Sequence, residues 1–181
     1  RFPNVEVVVQ EGNQRAMTEM LREDQLDLML CNLVNQEGEL EYEHLCWDPV
    51  IFLVQSAHPC CRYARYRDTF YHPWIDLREF EQEIFILQHQ GQSLRQYSDQ
   101  LLEEAGLSPQ RITQIRNIET AAQMAANGLG VSFCLESDFR HMMFIQPPYR
   151  FSVGERQLAA DFSAAYRRGR QLPEYTVQFI H

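Results

Sequence analysis
The residues best suited to chemistry with a small molecule are Asn117, Ile118, Glu119 and Thr120. They open a helix whose apolar positions (Ile118, Ala121, Ala122, Ala125, Leu129) recur at helical spacing and are mostly small. The first N–H groups of a helix have no partner inside it, and the helix dipole makes that end positive. A loop of this kind can hold a polar or anionic group, with Asn117 as the N-cap. The alternative is an ordinary buried helix whose cap only caps. Two more strand ends carry polar side chains: Glu11-Gly12-Asn13 after a valine-rich run, and Gln55-Ser56 after PVIFLV.

Other groupings have less chemistry in them. His44 with Cys46, and His58 with Cys60, have spacings that suit a metal, but two ligands do not close a zinc site, so no metal or cofactor is expected. Cys60, His58 and the glutamates nearby could be imagined as a nucleophile set, yet nothing in the sequence orients them. No G-x-G-x-x-G follows a strand, and neither a P-loop nor a G-x-S-x-G elbow occurs. An enzyme is not expected.

The elements that must position these residues read as alternating strands and helices. Val5–Val9 reads as a strand buried on both faces, Gln14–Glu23 as a helix, and Leu26–Leu30 as the next strand. Strand, helix and strand within about thirty residues form a βαβ unit with a parallel sheet, and ligands in such sheets sit beyond the strands' carboxyl ends. Tyr42–Trp47 and Pro49–Val54 follow, then an aromatic, arginine-rich surface stretch at Tyr63–Tyr71. A second run of the same kind has a strand at Ile84–Leu87, a helix from Ser93 to Ala105 and a strand at Arg111–Ile115. The helix after Asn117 and the strand VSFCL, set apart by Gly128 and Gly130, complete it. Met142–Ile145 and Tyr149–Val153 flank Pro147-Pro148, Ala159–Arg168 alternates as a strand, and Pro173 starts a last helix. Crossings between lobes are expected near Pro73–Leu77 and at Pro147-Pro148.

Composition restricts the partners. The 181 residues suffice for one large domain or two small lobes, with 45% hydrophobic and 23% charged residues. No run of about 18 apolar residues is present, so no membrane span is expected. Net charge is −9, and all 16 basic residues are arginine, which argues against this chain itself gripping a nucleic-acid backbone. Arg167, Arg168 and Arg170 read as a solvated strand edge. Five cysteines without framework spacing imply reduced thiols and a cytoplasmic setting.

Taken together, FPNVEVVVQEGN, LREDQLDLMLC, PVIFLVQSAHP, DLREFEQEIFIL, LLEEAGLSP, ETAAQMAANGLGVSF and AAYRRGRQLPEYTVQFI stand in an order that resembles the effector-binding domain of LysR-type transcriptional regulators. The resemblance implies an α/β fold of two Rossmann-like lobes, the type-2 periplasmic-binding-protein fold. The expected division is residues 1–75 and 148–181 for the first lobe and 76–147 for the second. It implies a small-molecule effector in a cleft, a homodimer or tetramer, and DNA contact only through an N-terminal winged helix-turn-helix. Its effector contacts map onto Asn13, Gln55, Ser56, Asn117 and Ile118, with Gln88 and His89 added by position. Each has a plainer role beside it, such as a helix cap for Asn13 or a solvated loop for His89. The family's usual first strand and helix are not found ahead of Phe2-Pro3-Asn4, so the first lobe is expected to lack them. A solute-binding protein of the same fold, serving a transporter, is the competing expectation. Because the mapped positions are mostly amides (Asn13, Gln55, Gln88, Asn117), the effector is expected to be a hydrogen-bonding metabolite whose charge is met by helix ends.

Overall fold
The computed structural model describes residues 2–181. In chain order its regular elements are α1 (Gln14–Arg22), β1 (Met29–Leu33), β2 (Leu40–Val54), β3 (Ile84–Leu87), α2 (Ser93–Glu104), β4 (Arg111–Gln114), α3 (Ile118–Ala126), β5 (Val131–Leu135), α4 (Glu136–His141), β6 (Tyr149–Phe151), β7 (Ala159–Arg167) and α5 (Glu174–Ile180). Packing divides the chain into two compact units: residues up to Trp47 together with Asp161–His181, and Asp48–Ala160. The boundaries expected at 75/76 and 147/148 therefore fall inside the second unit. Bends at Tyr71-His72 and Ile145-Gln146 precede Pro73 and Pro147-Pro148 there. The division into packing units falls within β2 and β7, where no turn residue signals it. Among the described residues no helix is long and apolar enough to cross a membrane.

In the first unit α1 buries Met17 and Leu21 against Met29, Leu40 and Ala165, with Met20, Leu26, Cys31 and Tyr42 around them. β1 runs antiparallel to β7, Met29 opposite Ala165 and Cys31 opposite Ser163, and β7 is in turn hydrogen-bonded to β2. The βαβ unit expected at the start of the chain does not form. Val5–Val9 joins no ladder, and Val7, Val8 and Val9 are 77%, 79% and 78% exposed. β-branched residues favour a strand only where a neighbouring strand takes up their N–H and C=O groups. The strand expected at Leu26–Leu30 is shifted to Met29–Leu33, its partner being antiparallel β7. The arginines at the end of β7 are not merely a solvated edge. Arg167 pairs with Asp24, and Arg170 pairs with Asp27 at 2.6 Å, which holds the turn after α1.

The second unit is built on β3, which is parallel to β4 on one side and β5 on the other. This is the strand–helix–strand run expected from the sequence. β5 is also paired antiparallel with the second half of β2, and β6 with β2 beyond it. One face of this sheet carries α3, whose Ala122 and Ala125 lie on Ile51, Leu53 and Cys134. Small residues let the helix come close, as the alanine-rich stripe predicts. The other face carries an aromatic core, with Phe52 5.1 Å from both Phe80 and Phe133 and 6.2 Å from Phe85.

One local reading needs correction. Tyr42–Trp47 and Pro49–Val54 are one continuous strand of 15 residues rather than two. Met142–Ile145, ahead of Pro147-Pro148, belongs to no helix or strand. The chain turns directly from β5 into α4, where Asp48 accepts hydrogen bonds from the Ser137 N–H (3.0 Å) and hydroxyl, and Glu136 meets His72 (2.8 Å) and Arg150 (3.1 Å). That nearly enclosed carboxylate ties β5, β6 and the segment before Trp74 together.

Candidate functional site
β3 and β4 end side by side, and each leads through a short loop into a helix. Register fixes this: Leu87 lies opposite Gln114, and the Ile115 N–H donates to the Leu87 carbonyl at 2.9 Å. The two loops, residues 88–92 and 115–117, are therefore neighbours at one end of the second unit. Gln92 joins them. Its Oε1 accepts the His89 N–H at 3.1 Å and its Nε2 donates to the Arg116 carbonyl at 3.1 Å.

Both helices begin at this rim with unpaired backbone donors. In α3 the Asn117 side chain accepts from the Thr120 N–H at 2.8 Å, and the Ala121 N–H reaches the Asn117 carbonyl. The N–H groups of Ile118 and Glu119 have no acceptor within the helix. In α2 Gln92 is the N-cap, and it makes no side-chain capping bond to its own helix because its amide is spent on the loops.

Gln88 lies beneath this rim. Its backbone carbonyl accepts from Arg95 Nη1 at 3.0 Å, and Arg95 is held in turn by Asp99 at 2.8 Å. Its side chain is completely buried, yet among the described residues neither Oε1 nor Nε2 has a hydrogen-bond partner. Leaving a buried polar group unsatisfied costs about 1–3 kcal/mol. Phe85 faces the aromatic core, and Gln88 follows directly on Leu87, the last residue of β3.

Thus Gln88, His89, Asn117 and Ile118 are brought together. Gln55 and Ser56 are not in this group. Asn13 belongs to the first unit, where its Oδ1 accepts the Ala16 N–H at 2.9 Å and caps α1. Gln55 and Ser56 do follow a strand's carboxyl end, but β2 is antiparallel to β5 while β5 is parallel to β3. They consequently sit where β3 and β5 begin, at the opposite end of that sheet from Gln88. There the Gln55 side chain lies against Gly128, and its carbonyl accepts the His58 N–H at 2.9 Å. A strand-end rule works only for strands of one direction.

The other groupings are placed as follows. His58 Nδ1 accepts the Cys60 N–H at 3.2 Å, so it is turned to the backbone rather than to a thiol. Burial raises the Cys60 pKa, and Glu79 and Glu83 raise it further, opposite to what an activated thiolate needs. Among the described residues no group of three His, Cys, Asp or Glu side chains could hold a metal. A shallow concavity of about 460 Å³ runs along α2 near Leu102 and Pro109, and none of the seven expected residues lines it.

Sequence reasoning missed Gln92 and Arg95, which fix the rim. The Arg95–Asp99 pair at helical spacing was a visible signal, whereas nothing in Gly91-Gln92-Ser93 reveals a glutamine that bridges two loops. The Asn117 cap is testable in isolation. Asn117→Ala should lower stability by about 1 kcal/mol, read as a shift of the urea midpoint at unchanged slope. No shift would mean that Asn117 does not hold the first turn of α3.

Comparison with known proteins agrees with this architecture. The profile of the LysR substrate binding domain matches residues 1–181. Among curated relatives, the HTH-type transcriptional regulator CysL of Bacillus subtilis (strain 168) is 24% identical over 139 residues, 77% of this chain and 44% of that protein. The HTH-type transcriptional regulator CbbR of Rhodospirillum rubrum is 22% identical over 171 residues, 94% of this chain and 53% of that protein. This chain spans about half the length of the curated relatives it matches. Among solved structures, the regulatory domain of Synechocystis PCC6803 CcmR in complex with 2-PG superposes with a TM-score of 0.80 at 18% identity, covering 99% of this chain and 82% of that one. The BenM effector binding domain with its effector benzoate gives 0.76 at 18% identity, covering 97% and 75%. These likenesses carry the fold, and the profile match carries the family: the chain belongs to the LysR substrate-binding domain family.

Proposed function
We propose that this chain is the ligand-sensing domain of a LysR-type transcriptional regulator, and that Gln88, His89, Asn117 and Ile118 contact its effector. The observation that carries the reading is the tether through Gln92, which makes two helix starts and two loops one polar rim. CcmR with 2-PG, QuiR with shikimate and BenM with benzoate are small-molecule complexes of the same fold and lend it support. Asn13, Gln55 and Ser56 are left out of the proposed contact set. The chain acts by binding rather than by catalysis, works in the cytoplasm, and assembles as a homodimer or tetramer. DNA contact falls to another part of the regulator, which agrees with a net charge of −9. A transporter's solute-binding protein fits less well, because the relatives bear the names of transcriptional regulators.

An effector shifts a regulator only through its unequal affinity for two arrangements of the protein. The test is to identify by native mass spectrometry the compound that co-purifies with the chain from its own host, and then to titrate it back. At a hundredfold excess over Kd it should stabilise the chain by about 2.7 kcal/mol. Gln88→Ala with Asn117→Ala should abolish that gain. A ligand whose stabilisation ignores both substitutions would place the site elsewhere.

A further inference from the structure
Each unit leaves a β-forming stretch without a partner. In the first unit Val7, Val8 and Val9 are largely exposed, belong to no ladder and make no backbone hydrogen bond among the described residues. In the second unit β4 is the last strand of its sheet, hydrogen-bonded to β3 along one edge and open along the other. An open edge is a template for a strand supplied from elsewhere. Charge indicates which strand fits. Glu6 and Glu11 stand five residues apart around the valines, and Arg111 and Arg116 stand five residues apart along β4 and the loop after it. All four are exposed, and among the described residues none has an ion-pair partner. Arg111 reaches only the Gln82 carbonyl.

Resting on the homo-oligomer proposed above, we infer that residues 5–11 of one copy add antiparallel to the open edge of β4 in a second copy, with the register set by Glu6 on Arg116 and Glu11 on Arg111. In that register Val7 lies opposite Ile115, Val8 opposite Gln114, Val9 opposite Thr113 and Gln10 opposite Ile112. Residues directly opposite share a face, so each glutamate meets its arginine on the same side of the sheet. A slip of one residue breaks both pairs and turns every side chain to the other face. The equal spacing also permits a parallel arrangement, but antiparallel ladders are the more stable per residue. Two copies of residues 5–11 paired with each other would offer the glutamates no cation, which favours β4 as the partner edge.

Sedimentation equilibrium of the intact chain tests this by reversing charges at the four exposed positions. Glu6→Arg and Arg116→Glu should each weaken self-association about tenfold, and the two together should restore it. Glu11→Arg with Arg111→Glu should behave in the same way. Amide exchange at Val7, Val8 and Val9 should slow as the chain concentration rises and the ladder forms. Self-association indifferent to all four reversals would overturn the inference and leave the homo-oligomer to another surface. Restoration of Glu6→Arg by Arg111→Glu, and not by Arg116→Glu, would overturn the antiparallel register. Reversals that shift the melting temperature equally at every concentration would place the contact within one chain, which overturns the inference as well. A chain that stays monomeric at every concentration overturns both the inference and the assembly it rests on, while the sensing role keeps its own test in the co-purified compound.

Discussion

Phe52→Ala should destabilise the second unit by about 3–5 kcal/mol, the cost of removing a large ring from a core that cannot collapse around the gap. Phe52 is fully buried in the half of β2 that pairs with β5, and its ring touches three others. Phe80 comes from the short turn Leu77–Phe80, Phe85 from β3 close after it and Phe133 from β5, so one ring ties β2 to β5 and to the chain between them. Each pair also has an edge or offset contact that an alanine cannot make. Val8→Ala is the matching control. With Val8 79% exposed and outside any ladder, its loss should stay within about 0.5 kcal/mol. Urea unfolding of both variants measures the difference. A Phe52→Ala cost below about 1 kcal/mol would mean that the four rings are not the centre of this core.

The same comparison explains what could be read from the residues. Ile84–Leu87, the helix from Ser93, the strand from Arg111, the Asn117 cap and VSFCL were all legible, because each is a local pattern with a local stop signal: an N-cap, a glycine turn or a β-branched run. Partners were not legible. Val5–Val9 has every strand preference and no strand to pair with, and β1 pairs with β7, more than a hundred residues later in the chain. The candidate site divides along the same line. Gln88, His89, Asn117 and Ile118 follow or border parallel strands, so the rule that ligands gather at carboxyl ends held them together. Gln55 and Ser56 follow β2, whose direction only the fold determines. Gln92 was invisible for a related reason, since its two hydrogen bonds run to loops that become neighbours only once β3 and β4 have paired.

Gly130→Ala should be the most damaging small substitution in the chain. Gly130 has φ of +154°, a region that side-chain-bearing residues scarcely occupy. A Cβ built there would lie 2.3 Å from the Ile84 carbonyl oxygen and 3.2 Å from the Ile84 Cβ. That oxygen belongs to the first residue of β3, and β3 and β5 pair from the next position onward, Phe85 opposite Val131. Relief would therefore require moving one strand off the other, and not just turning a side chain. Strain of this kind costs about 3 kcal/mol or more, enough to leave little folded material in a domain of ordinary stability. Gly128→Ala provides the contrast. Its φ is +74°, but an added Cβ there meets only the far end of the Gln55 side chain, which can swing away. Its cost should be about 1–2 kcal/mol, the penalty of a left-handed residue alone. Soluble yield and thermal melts of the two variants should thus differ widely, with Gly130→Ala far the worse. Equal melting temperatures would show that β3 and β5 can part at Gly130 without cost, and that the Phe85–Val131 register does not hold them there.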